Sequence, residues 1–290
     1  MRRLRSTSGV EVAVHDLGGG GRRGADKPDL LIVHATGFCA QMYSRLAVSL
    51  GAEYRCWGLD LRGHGLSVAP AGLDYAWEGF GEDVLAAVAG LGLTAAVAVG
   101  HSSGGAAMLL AEARKPATFS ALWCYEPIVW PPEVRDGARA RAEALSEGAR
   151  RRRARFSSSR EAYLNFASKP PLSTFAPAAI RAYIDHGFAV DEADGSLVLR
   201  CRPEVEAEIY LKAAEGDRFG PLADVACPVT VACGARTDAI RPPLAERLAG
   251  AVQGPGRVRT FDRLAHFGPF EDPAVVAEAI LADLRSAPVS

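Results

Sequence analysis

The chain predicts an α/β fold built on a doubly wound, mostly parallel sheet, and three observations carry that reading. Short apolar runs alternate with helical patterns along most of the 290 residues, which is the order that stacks helices on both faces of a sheet. Several of the interior runs are apolar throughout instead of alternating, as expected of parallel strands covered on both sides. One long excursion, residues 128–215, breaks the alternation. It is mostly helical in pattern and interrupted by Pro131, Pro132, Pro170, Pro171 and Pro203. We read it as a helical cap inserted into a core domain formed by residues 1–127 and 216–290.

Taken in order, strand candidates lie at 10–16, 30–34, 54–60, 95–99, 121–125, 229–233 and 258–261. Helix candidates lie near 42–50, 76–90, 104–115, 243–252 and 273–285. The glycine-rich stretch 18–28 reads as a flexible loop between an early hairpin strand and the first buried strand. Arginines crowd the start of the cap, with Arg150, Arg151, Arg152 and Arg153 in a row. The simple reading is a solvated helix face; the functional alternative is a site for an anionic substrate or carrier.

Bulk properties exclude several classes. The formal net charge is -1, so no overall field favours nucleic acid or an anionic membrane. The basic start Met1-Arg2-Arg3-Leu4-Arg5 is followed by no apolar stretch, so neither a signal peptide nor a membrane span is expected. The six cysteines show no CxxC or metal spacing. They read as buried reduced thiols of a cytoplasmic protein. A small-molecule substrate is the expected partner; the sequence leaves the oligomeric state open, a homodimer being one option since many soluble enzymes form twofold dimers. No metal and no organic cofactor is expected.

The chemistry centres on Gly100-His101-Ser102-Ser103-Gly104, directly after an apolar strand run and directly before the small-residue helix opening Gly105-Ala106-Ala107-Met108. Strand, sharp turn and helix is the context of a nucleophile elbow, in which the serine hydroxyl is lifted clear of the sheet. Gly100 and Gly104 stand two residues either side, where side chains would collide in so tight a turn. A serine hydroxyl needs a base within hydrogen-bond reach, and the base needs an orienting acid. Of the six histidines, His15, His34 and His64 precede the elbow and His101 is part of it; His34, His64 and His101 read as structural. His186 falls in the cap. His266, in a loop after the last strand and before the last helix, stands where such a sheet builds its site. The acid is expected from a loop after a late strand, and Asp238 in Thr237-Asp238 fits. Glu126, at the end of the 121–125 run, is the competitor; it also stands at the junction with the cap, where it could contact substrate.

These residues resemble the α/β-hydrolase superfamily, in the branch of serine hydrolases with a helical cap. Four motifs carry the resemblance over nearly all the chain outside the cap: His34-Ala35-Thr36-Gly37-Phe38, Asp60-Leu61-Arg62-Gly63-His64-Gly65-Leu66-Ser67, Gly100 to Gly105, and Asp238 followed by His266. The resemblance implies an eight-stranded sheet, Ser102 as nucleophile, His266 as base and Asp238 as acid. It implies an oxyanion hole from the backbone N–H groups of Ser103 and Thr36. The family usually has His-Gly where this chain has His34-Ala35, which leaves Ala35 and Phe38 as alternative donors or pocket-lining residues. Phe38, Glu126, Trp130 and Phe267 are the expected pocket residues.

The implied activity is hydrolysis of a small or medium ester, lactone or thioester through an acyl-enzyme. The alternatives are carbon–carbon bond hydrolysis, and acyl transfer or cyclisation on the same three residues. A non-catalytic binding protein on this fold is the remaining class.

Overall fold

The computed structural model describes residues 1–19 and 27–286. Residues 20–26 of the loop expected at 18–28 lie outside the described residues. Eleven strands occur among them in chain order: β1 (Arg2–Arg5), β2 (Glu11–Gly18), β3 (Asp29–Val33), β4 (Arg55–Asp60), β5 (Ala96–His101), β6 (Phe119–Tyr125), β7 (Arg155–Phe156), β8 (Phe188–Val190), β9 (Leu197–Leu199), β10 (Val229–Gly234) and β11 (Gly256–Phe261). Eight of them form one sheet in the order β1-β2-β4-β3-β5-β6-β10-β11. The β1–β2 and β2–β4 pairs are antiparallel and the remaining pairs parallel. All seven expected strands are present within two residues of their predicted starts. The edge strand β1 was not foreseen, because Arg2-Arg3-Leu4-Arg5 is polar on nearly every position and carries no strand pattern.

The helices follow from local signals. In the core they are α1 (Ser44–Leu50), α2 (Glu78–Leu91) and α3 (Ser103–Arg114). Gly92 ends α2 in the left-handed conformation at φ +70°, which costs a glycine little. Helices α4 (Arg135–Arg150), α5 (Ser159–Ala167), α6 (Pro177–Gly187) and α7 (Pro203–Lys212) then form most of the excursion between β6 and β10. Ser158 caps α5 by accepting from the Glu161 N–H, and prolines open α6 and α7, where a missing N–H is harmless. The chain closes with α8 (Pro242–Ala249), α9 (Gly268–Glu271) and α10 (Pro273–Arg285). The excursion is not purely helical: β7, β9 and β8 pair there as a small antiparallel sheet. Those strands are two or three residues long, too short to leave a period in the sequence.

Two hydrophobic clusters cover the two faces of the main sheet, as the unbroken apolar strands require. All six cysteines are buried and unpaired. Among the described residues no helix is long and apolar enough to cross a membrane.

Candidate active site

The site lies at the C-terminal ends of the parallel strands, where the strand order reverses around β3 and β5 and ligands of such sheets bind. Ser102 follows β5 with φ 56° and ψ -116°, a conformation that costs an L-residue energy and persists only where its surroundings enforce it. They do so by close approach. A Cβ on Gly104 would lie 2.3 Å from the Val33 carbonyl oxygen, and one on Gly100 would lie 2.6 Å from Gly105 Cα. The small residues that open α3 therefore let it sit against β3 and β5. The Ser102 N–H donates to the Tyr125 carbonyl at 2.9 Å.

His266 stands in the loop between β11 and α9. Its Nε2 is 3.2 Å from Ser102 Oγ, and its Nδ1 is 2.7 Å from Glu126 Oε2. The loop is braced from three directions. Tyr125 Oη donates to the Ala265 carbonyl at 2.7 Å, the Ala265 N–H donates to Glu271 at 2.9 Å, and His101 Nε2 donates to the His266 carbonyl at 2.8 Å.

The expected pairing of Asp238 with His266 is not found. Asp238 is bound through both carboxylate oxygens by Arg141 of α4, at 3.0 and 3.1 Å, and that cation holds its carboxyl below the usual range. The carboxylate against the histidine is Glu126, directly after β6. It is fully buried and has φ +45°, a second strained non-glycine residue at the site. Its oxygens accept from the Gly234 N–H at 3.0 Å and from Thr237 Oγ1 at 2.6 Å. The end of β10 and the loop after it thus cradle Glu126 and do not bring Asp238 to His266. The same arrangement corrects the expectation that Glu126 lines the pocket: it stands behind His266.

The loop after β3 explains the alanine in His34-Ala35. Positive φ falls on Gly37, at +83°, and not on residue 35, so Ala35 is unstrained. The Ala35 N–H donates to Tyr43 Oη at 3.2 Å, and the Gly37 N–H donates to His64 Nε2 at 2.9 Å. Between them, among the described residues, no acceptor engages the Thr36 N–H, and none engages that of Ser103 at the start of α3. Thr36 lies in the cavity wall with Ser102, and Ser103 follows that serine in the chain. The Asp60 to Ser67 motif is a turn that holds this loop from below: Asp60 accepts from the Ala40 and Leu66 N–H groups, each at 2.8 Å.

Above Ser102 and His266 is a cavity of about 700 Å³. Phe38, Trp130 and Phe267 lie in its wall as expected, with Ile128, Ala142 and Leu145 among the apolar residues between them. Phe38 packs edge-on against Phe267 and Tyr183, with ring centroids 5.8 and 5.4 Å apart, and so ties the loop after β3 to the cap. The polar side of the wall draws on the arginine run seen in the sequence, with Arg151, Arg152 and Arg153 all bordering the cavity. It includes Arg152, paired with Glu206 and with Tyr183 Oη. Among the described residues no group of three or more His, Cys, Asp or Glu side chains could hold a metal ion.

A strand, a strained serine turn and a small-residue helix on this strand order define the alpha/beta hydrolase family, and the chain belongs to it: the family model matches residues 30–279. Solved structures with the same fold include E-2-(acetamidomethylene)succinate hydrolase, at TM-score 0.79 and 20% identity over 98% of both chains. A thermophilic esterase from Thermogutta terrifontis has TM-score 0.69 and 22% identity, covering 98% of this chain and 97% of its own. The enol-lactonase from Burkholderia xenovorans LB400 has TM-score 0.70 and 20% identity, covering 98% and 100%. A curated relative, the magnesium-chelatase 30 kDa subunit of Rhodobacter capsulatus, is 35% identical over 85 residues, 29% of this chain. The matched segment spans only 30% of that relative's length.

Proposed function

We propose that the protein is a serine hydrolase that cleaves a carboxylic ester, lactone or thioester through an acyl-enzyme on Ser102. The observation that carries this reading is the line Ser102–His266–Glu126, with contacts of 3.2 and 2.7 Å. His266 Nε2 accepts the serine proton as Oγ attacks the carbonyl carbon. The Nδ1–H, held on Glu126, keeps the imidazole in the tautomer that can do so and stabilises the imidazolium that forms. The unengaged N–H groups of Thr36 and Ser103 receive the negative charge that develops on the carbonyl oxygen. His266 then protonates the leaving oxygen or sulfur as its bond to the acyl carbon breaks. Water, deprotonated by His266, adds to the acyl carbon and releases the acid and free Ser102. The esterase and enol-lactonase among the similar structures agree with this chemistry.

A fluorophosphonate probe read by intact mass tests the proposal. Labelling of the parent and not of Ser102→Ala is expected, together with turnover of a panel of esters, lactones and thioesters. An unlabelled parent that also leaves short aryl esters intact overturns it.

A further inference from the structure

The arginines at the start of the cap divide into two sets. Arg139 and Arg151 are mostly exposed and pair along the helix with Glu143 and Glu147; Arg151, and Arg153 paired with Glu161, also border the cavity. Arg141 and Arg152 turn inward and belong to the cavity wall, with Ala138, Ala142, Leu145 and Ala149 on the same stripe. Residues 138, 141, 142, 145 and 149 follow the helical repeat of one face of α4, and Arg152 lies two residues beyond its end.

The two inward arginines differ in their partners. Arg141 spends both terminal nitrogens on Asp238. Arg152 gives one nitrogen to Glu206 and the other to the neutral Tyr183 hydroxyl. A guanidinium has five N–H donors in a planar fork, so Arg152 keeps donors for a further acceptor. Its position is also distinctive. A Cβ on Gly37 would lie 2.5 Å from Glu206 Oε1 and 3.2 Å from Arg152 Nη1, so the Arg152–Glu206 pair abuts the residue next to Thr36. A second cation, Lys169, lies on the cavity wall; its ammonium is 2.9 Å from the neutral Asn165 amide oxygen. Among the described residues no carboxylate pairs with it.

Resting on the hydrolase reading above, we infer that the substrate's acyl part carries a carboxylate, bound by Arg152 a few bonds from the carbonyl that Ser102 attacks. The planar fork suits a carboxylate, and the neighbouring Glu206 disfavours a more highly charged group. A short acyl diacid fills little of 700 Å³. The leaving group therefore occupies the apolar side formed by Trp130, Ala142 and Leu145. The substrate class is the half-ester of a short dicarboxylic acid with an apolar leaving group, and Lys169 draws it in at the rim.

Monophenyl glutarate and phenyl pentanoate differ only in that carboxylate. The parent is expected to prefer the glutarate in kcat/KM by about tenfold or more, the scale of one charge-assisted contact. Arg152→Lys keeps a cation beside Glu206 but loses the fork. It should erase most of the preference, read as the ratio of the two kcat/KM values. Equal use of the two esters by the parent, or an unchanged ratio in Arg152→Lys, overturns the inference. Calorimetric titration of Ser102→Ala with monophenyl glutarate separates the two proposals, since binding there needs no turnover. Binding that is lost on adding Arg152→Lys supports the anion subsite even if the hydrolase reading fails. No binding to folded Ser102→Ala overturns the subsite even if the parent cleaves other esters.

Discussion

Glu126 Oε2 lies 2.7 Å from His266 Nδ1, while Asp238, on the loop where the acid was expected, is clamped by Arg141. The two carboxylates give opposite expectations. Glu126→Gln would place an amide N–H donor or a weaker acceptor against Nδ1 and favour the wrong tautomer, which costs about 10⁴-fold in kcat in the best-studied triads. Asp238→Asn removes only a surface-accessible ion pair, and such pairs contribute about 0–1 kcal/mol. We expect a fall of about three orders of magnitude for Glu126→Gln and a change within about fivefold for Asp238→Asn. Equal losses in steady-state kinetics on one aryl ester would return Asp238 to the acid's role.

The outcome at these residues shows where the sequence stops being informative. The serine turn, the strand positions and the late histidine were legible because each follows from local pattern: a Gly-x-Ser-x-Gly turn, an apolar run, a loop before a helix. The choice between Glu126 and Asp238 depends on how the 234–240 loop folds back on the end of β6. Gly234 and Thr237 donate to Glu126 across more than 100 residues of sequence, and nothing near Glu126 announces it. The same limit applies to the cap. Its arginine run is visible, but which arginines face inward is set by packing of α4 against the rest of the cap.

A buried relay joins the loop after β3 to His266. The Ala35 N–H donates to Tyr43 Oη at 3.2 Å, the Tyr43 O–H donates to His101 Nδ1 at 2.7 Å, and His101 Nε2–H donates to the His266 carbonyl. Tyr43→Phe leaves both His101 Nδ1 and the Ala35 N–H without a partner. The expected cost is about 1–3 kcal/mol of stability. The Thr36 loop and His266 lose their common brace, so kcat should fall by about tenfold with KM little changed. Equal loss in Tyr43→Phe and in a comparably destabilised variant remote from the site would reduce the relay to a purely structural role.

Acid should unfold this protein through its histidines. His34, His64 and His101 are buried, and burial is the largest cause pulling each below the ordinary value of 6.5, His64 to about 3. A histidine whose folded pKa is lowered binds fewer protons in the native state than in the unfolded chain. Its contribution is therefore intact above the unfolded pKa and is lost as pH falls below it, down to the folded pKa. Each such group costs up to about 1.4 kcal/mol per pH unit in that window. Denaturant midpoints should be flat above about pH 7 and fall steeply between about pH 6 and 4. His64→Gln, which keeps an acceptor for the Gly37 N–H, should flatten the slope by close to one proton. A slope unchanged by that substitution would mean that His64 is not a proton sink of unfolding.

Two glycine-to-alanine substitutions should move stability in opposite directions. At Gly104 the new methyl would meet the Val33 and His34 carbonyl oxygens at 2.3 and 2.7 Å. Both are backbone atoms of the strand and loop that carry Thr36, so neither can rotate away. Forced overpacking of this kind costs about 1–3 kcal/mol, and the shift of α3 away from β3 would move Ser102 and Ser103 together. Gly104→Ala is expected to lower the melting temperature and abolish fluorophosphonate labelling. At Gly137, inside α4, a methyl meets nothing within 4 Å and the backbone is already helical. There the substitution should add about 0.5–1 kcal/mol by restricting the unfolded chain and favouring the helix, with labelling of Ser102 unchanged. Thermal melts of the two variants decide the matter. A Gly104→Ala protein as stable and as reactive as the parent would show that α3 can retreat from β3 without disturbing the Ser102 turn, and the tight approach would then not be what holds Ser102 in its strained conformation.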